Sequence, residues 1–121
     1  MSINADHRKL LEFVARAMGI EIEIVPIANG PDMVVAKYPE TEQHPTDGYH
    51  WNPIEDDGDC ARIEAKLGLL LSWEERCVRS GQPDITGMHA EWFANHGEDR
   101  NAARRLASVR AAAVAGMGVD S

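Results

Sequence analysis

A chain of 121 residues, 44% hydrophobic and 26% charged, is long enough for one hydrophobic core, too short for two, and too apolar for global disorder. Its net charge of −8 repels nucleic-acid phosphate and anionic lipid at long range, so nucleic acid is an unfavoured partner. The apolar stretch at Leu67–Leu71 is far too short to span a bilayer, the polar residues Met1–Arg8 lack the apolar core of a signal peptide, and Cys60 and Cys77 form no C-x-x-C pair. The expectation is a single cytoplasmic domain over residues 1–121 with reduced thiols and no implied cofactor.

The first helix follows a cap at Asn4 or Asp6, whose short side-chain oxygens accept from unpaired N–H groups. Leu10, Val14, Ala17 and Met18 share a face, and Gly19 suits the left-handed stop. Ile20-Glu21-Ile22-Glu23-Ile24 alternates with period two and predicts a half-buried strand. Turn chemistry at Asn29–Asp32 leads to a second strand, Met33–Tyr38, as its hairpin partner. Residues Pro39–His50 form an acidic polar loop without lysine or arginine.

The second helix is predicted to begin within Pro53–Asp59, where Asp56, Asp57 and Asp59 complement its positive end. Cys60, Ile63 and Leu67 form its buried stripe, Arg62 and Lys66 face outward, and Gly68 stops it. Leu69–Leu71 reads as a short buried strand. Glu75–Ser80 and Thr86–Ala94 are further strands around the turn Ser80–Asp84, with a helix over Trp73–Arg79 as the rival for the first. The last helix runs from about Asp99 to Ala115, with Ala102, Leu106, Val109, Ala113 and Met117 on one stripe and Gly116 and Gly118 ending it. These elements add up to an α+β fold: a small antiparallel sheet packed against two to three helices.

Three stretches share an order: Trp51-Asn52-Pro53-Ile54, then Asp56-Asp57-Gly58-Asp59 with the helix Arg62–Leu67, then a final helix containing Ala103-Arg104-Arg105 and Val109–Ala113. This order resembles a group of small uncharacterised phage and prophage proteins related to the phage ABA-sandwich domains. The resemblance implies helices on a small antiparallel sheet. It implies no established activity, so no catalytic residue is carried over. Cys60, Ala61 and Glu64 stand where that group has alanine, leucine and alanine. Glu64 is expected on a less buried face, with the helix packed on one side only.

Chemistry is sparse. The aspartates lack the D-x-D-x-D-G series of a calcium loop. His89-Ala90-Glu91 matches half of a zinc-deaminase signature without the P-C-x-x-C half, and His89 is expected on a surface or edge strand. His44, His50 and His96 fall in polar loops without ligand spacing. Arg76 and Arg79 flank Cys77 and could lower its thiol pKa, yet both cysteines read as packing residues. Arg100, Arg104, Arg105 and Arg110 bracket the last helix's apolar stripe and suit pairing with the acidic segment.

Two functions follow as expectations. The first is a non-enzymatic phage-type accessory protein that binds a host or phage protein. Its contact surface would be Tyr38, Glu40, Glu42, Asp47, Tyr49 and Trp51, aromatic anchors beside charge. An acidic surface of this kind can mimic nucleic acid, fill a basic groove and so inhibit a host or defence protein. Homodimerisation through a sheet edge or the alanine-rich helix is a further route. The alternative is a small metal-dependent hydrolase or nucleotide-modifying enzyme that brings Asp56, Asp57 and Asp59 together with His50 or His89 in one cleft.

Overall fold

A computed structural model describes residues 5–25, 28, 33–37, 49–82 and 85–119. Of residues 5, 6, 33, 36, 37, 49, 50, 118 and 119 it describes the backbone alone. The fold is α+β, as expected, with its strands in two sheets instead of one. Helix α1 (Ala5–Met18) leads into β1 (Glu21–Val25), β2 (Met33–Lys37) and β3 (Tyr49–His50), an antiparallel meander. Helix α2 (Asp57–Leu67) leads into β4 (Leu70–Trp73), β5 (Cys77–Gln82) and β6 (Gly87–Trp92), a second antiparallel meander. A 3-10 turn, Phe93–His96, precedes α3 (Arg100–Val119).

Helix α3 is the centre of the molecule. It packs along α1 and α2 and across β5 and β6. Its alanines make this possible, because a helix with small side chains accepts close neighbours on several sides. Val109 and Ala111–Ala113 join Leu11, Val14, Met18, Trp51 and Ile63 in the main core. Ala103 and Ala107 pack with Val78 and Phe93 in a smaller cluster under the second sheet.

Several boundaries differ from the sequence reading. Helix α3 continues through Gly116 to Val119. Gly116 is there for contact, not termination: a Cβ at that position would stand 1.8 Å from the Phe13 carbonyl oxygen, so α1 and α3 touch backbone to backbone. Gly68 does end α2, in the left-handed region at φ 63°. The Trp73–Arg79 segment is no helix; β4 turns into β5 through Glu74 N–H donating to the Cys77 carbonyl. The expected buried strand keeps only Leu69 inside, and every residue of β4 is exposed. No described helix is long and apolar enough to cross a membrane.

Candidate functional site

The Trp51–Asp59 block folds on its own local bonds. Asn52 Oδ1 accepts from Ile54 N–H, and the Asn52 carbonyl accepts from Glu55 and Asp56 N–H, an Asx-type turn. Asp56 is the N-cap of α2, its side chain accepting from Asp59 N–H at 2.8 Å. Asp59 turns back and accepts from Asn52 N–H at 2.9 Å. Asp57 reaches forward to Arg105 at 2.7 Å and to Arg104 at 3.8 Å on α3, while Arg105 Nε also donates to the Ile54 carbonyl. The three carboxylates therefore diverge: one caps, one ties the preceding loop, one clamps α3. His89 is elsewhere, 3.0 Å from the Thr86 carbonyl oxygen, and among the described residues no three His, Cys, Asp or Glu side chains are placed to hold a metal ion. The convergence that the hydrolase alternative requires is not formed by the described side chains.

Trp51 corrects the expected contact surface. Its side chain is completely buried among Val34, Ile63 and the α1 and α3 residues of the main core, and its backbone N–H donates to the Val34 carbonyl. A partner cannot reach it. Tyr38, Glu40, Glu42 and Asp47 lie outside the described residues, as does the side chain of Tyr49.

Two buried carboxylates carry the polar organisation that the sequence reading missed. Glu64, expected on an outer face, sits between α2 and α3. It accepts from Arg104 Nε at 3.0 Å and Nη2 at 2.6 Å, and from Ser108 Oγ at 2.6 Å. Ser80 Oγ, on β5, lies 2.9 Å from Ser108 Oγ; since the Ser108 proton is committed to Glu64, Ser80 donates. This relay joins α2, α3 and the second sheet. The Glu64 bond also raises the Arg104 pKa. Glu91 is the second hub, 2.8 Å from His96 Nε2 and 3.0 Å from Arg110. His96, expected to be solvated, is mostly covered. The alternation of His89, Glu91 and Phe93 with Met88, Ala90 and Trp92 fits this placement, since Glu91 and Phe93 are both buried.

Cys60 lies against Glu64, Sγ to Oε2 at 3.6 Å, and burial, then the nearby carboxylate, pushes its thiol pKa from 9.0 up to about 12. The unfolded thiol loses its proton from about pH 9 upward, while the folded one keeps it to about 12. Unfolding thus releases a proton in that window, and stability falls as pH rises through it. A Cys60→Ala variant should lose that part of the slope in alkaline denaturation curves. In the wild type at pH 8, iodoacetamide should label Cys60 only at the rate of unfolding; fast labelling by mass spectrometry would contradict this packing.

The uncovered surface lies on the second sheet. Strand order β4-β5-β6 makes β4 an edge. Leu70 is 57% exposed, Leu71 38% and Trp73 48%, and across the sheet Trp92 is 51% exposed. Register opposes Leu71 to Ser80 and Trp73 to Val78 on the α3 side, and Leu70 to Gly81 on the other. So β4 shows apolar side chains on both faces. Among the described residues no backbone hydrogen bond crosses its outer edge. The other edges are guarded: β1 carries exposed Glu21 and Glu23, β6 carries inward-turned Glu91, and β3 has two residues. No family model, curated protein or solved structure matches this chain.

Proposed function

We propose that this chain is a non-enzymatic interaction protein that accepts an extended apolar segment of a basic partner protein along the edge of β4. The observation that carries the reading is the uncharged, half-exposed Leu70–Trp73 edge in a chain whose net charge is −8. An open edge offers unpaired backbone groups to an incoming strand, and apolar side chains on both faces reward the pairing. The charge favours one occupant over the other. Two copies of a −8 chain repel each other, whereas a basic partner is drawn in from a distance. The resemblance of the Trp51–Leu67 block to small phage and prophage proteins supports a host-cell or phage protein in the cytoplasm as that partner, held and thereby inhibited.

A Leu70→Lys/Leu71→Lys variant tests this. Both residues are exposed, so its stability should stay within about 1 kcal/mol of wild type. A partner captured by the wild type should be lost, and amide exchange across residues 70–73 should slow by about tenfold or more when that partner binds. Retention of the partner by the variant, with exchange at β4 unchanged, would sink the reading. Recovery of the chain with itself alone would replace the basic partner by self-association.

A further inference from the structure

A cleft of about 550 Å³ opens where the β4–β5 turn meets the segment after β6, lined by Glu75, Arg76, Trp92, Ala94, Asn95 and Glu98. Its volume falls within the range of pockets that hold small organic groups. Its charged groups differ from their acidic neighbours Glu74, Glu91 and Asp99. Those neighbours are used: Glu74 binds Arg79, Glu91 binds Arg110 and His96, and Asp99 caps α3 by accepting from Ala102 N–H. In the cleft, by contrast, Glu75, Glu98 and Arg76 form no ion pair with another described residue. Trp92 presents a half-exposed indole beside them.

Glu98 adds to this picture. It is the one described non-glycine residue at positive φ, 65°, fixed by its N–H donating to the Phe93 carbonyl. Such a conformation is strained for a residue with a Cβ and costs glycine little. With Asp99 already capping α3, the Glu98 side chain has no structural partner among the described residues, and it stands at the wall of the cleft.

We propose that this cleft binds a lysine or arginine side chain presented by a partner polypeptide, with the cation on the face of Trp92 and Glu75 and Glu98 as its counter-charges. An aromatic face flanked by carboxylates is the chemistry that retains an ammonium or guanidinium group on an apolar stem. Arg76 and Asn95 supply the complementary function: their N–H groups donate to the backbone carbonyls on either side of the bound residue. Two free carboxylates against one guanidinium leave the cleft net negative, in keeping with a cationic ligand. The assignment rests on the partner-binding reading for the source of the ligand, and on the cleft's own residues for its chemistry.

The test uses the full chain, titrated with N-acetyl-Ala-Lys-Ala-amide, the same peptide with norleucine for lysine, and n-butylammonium. The signal is the Trp92 indole N–H resonance, assigned by its absence from a Trp92→Phe variant. The lysine peptide should shift that resonance saturably, at least about fivefold more tightly than either comparison ligand, and the preference should weaken as salt screens the charges. A Glu75→Gln/Glu98→Gln variant, which leaves every described hydrogen bond in place, should lose that preference. Equal binding of the norleucine peptide would overturn the cation assignment. Equal binding of n-butylammonium would overturn the polypeptide source. No shift up to about 20 mM lysine peptide, an affinity weaker than about 2–3 kcal/mol, would overturn the site itself. The Leu70→Lys/Leu71→Lys variant separates the two proposals: its loss of the partner with no lysine-peptide binding supports the edge and rejects the cleft, and retention of both does the reverse.

Discussion

Replacing Glu64 with alanine should destabilise the protein by about 3–5 kcal/mol, enough to remove much of the stability a small domain has. The reason is what remains behind. Arg104 keeps its guanidinium at the α2–α3 contact, with a side chain only 15% exposed and its two close acceptors gone. Ser108, wholly buried, loses the oxygen that takes its proton, and Ser80 depends on Ser108 in turn. Breaking one side of a buried pair costs far more than the pair's own net contribution, because the survivor is left desolvated, here with only the exposed Asp57 carboxylate at 3.8 Å as counter-charge. The double replacement Glu64→Leu/Arg104→Met removes both charges and should recover most of the loss, giving a coupling on the order of 2–3 kcal/mol in a double-mutant cycle. Urea titration of the four proteins decides the matter. Additive effects would show that Glu64 and Arg104 do not act as a pair in solution.

How much of this was readable in advance depends on how far each determinant lies from its partner. The start of α2 was legible because Asp56 caps an N–H three residues away, and its end because Gly68 stops it alone. The β1–β2 hairpin was legible from the alternation of Ile22 and Ile24 with Glu21 and Glu23. Glu64 was not, since its ligands Arg104 and Ser108 stand 40 and 44 residues on, and helical periodicity alone left it looking solvated. Leu70 and Leu71 misled in the opposite direction. An apolar run reads as buried, yet its burial requires a neighbouring strand or a covering helix, and α3 packs chiefly over β5 and β6. Gly116 looked like a stop because glycine usually ends helices; the reason for its presence is the Phe13 backbone on another helix. The divergence of Asp56, Asp57 and Asp59 was half legible: the local cap was, the clamp on Arg105 was not.

The sequence reading makes Trp51 a surface anchor beside an acidic loop, the structure makes it a plug in the core, and a single substitution separates the two with a large effect. A Trp51→Ala variant should lose about 3–5 kcal/mol, the cost of emptying an aromatic-sized volume between α1, α2, α3 and the first sheet. Its Nε1 is the one buried side-chain polar atom among the described residues without a hydrogen-bond partner. Tryptophan is therefore held here for volume and against a penalty of about 1–3 kcal/mol for the unpaired N–H. Phenylalanine removes that penalty while keeping most of the ring, so Trp51→Phe should cost no more than about 1–2 kcal/mol, well short of the alanine loss. A surface anchor predicts the opposite ranking of readouts: both variants would keep wild-type stability and lose the partner. The denaturation midpoints can be followed by circular dichroism in all three proteins, and the fluorescence of the Phe variant should lack the blue-shifted component of the buried indole while keeping that of half-exposed Trp73 and Trp92. Unchanged midpoints in the alanine variant would mean that the indole is not in the core, and the anchoring of the Trp51–Asp59 block would have to be sought elsewhere.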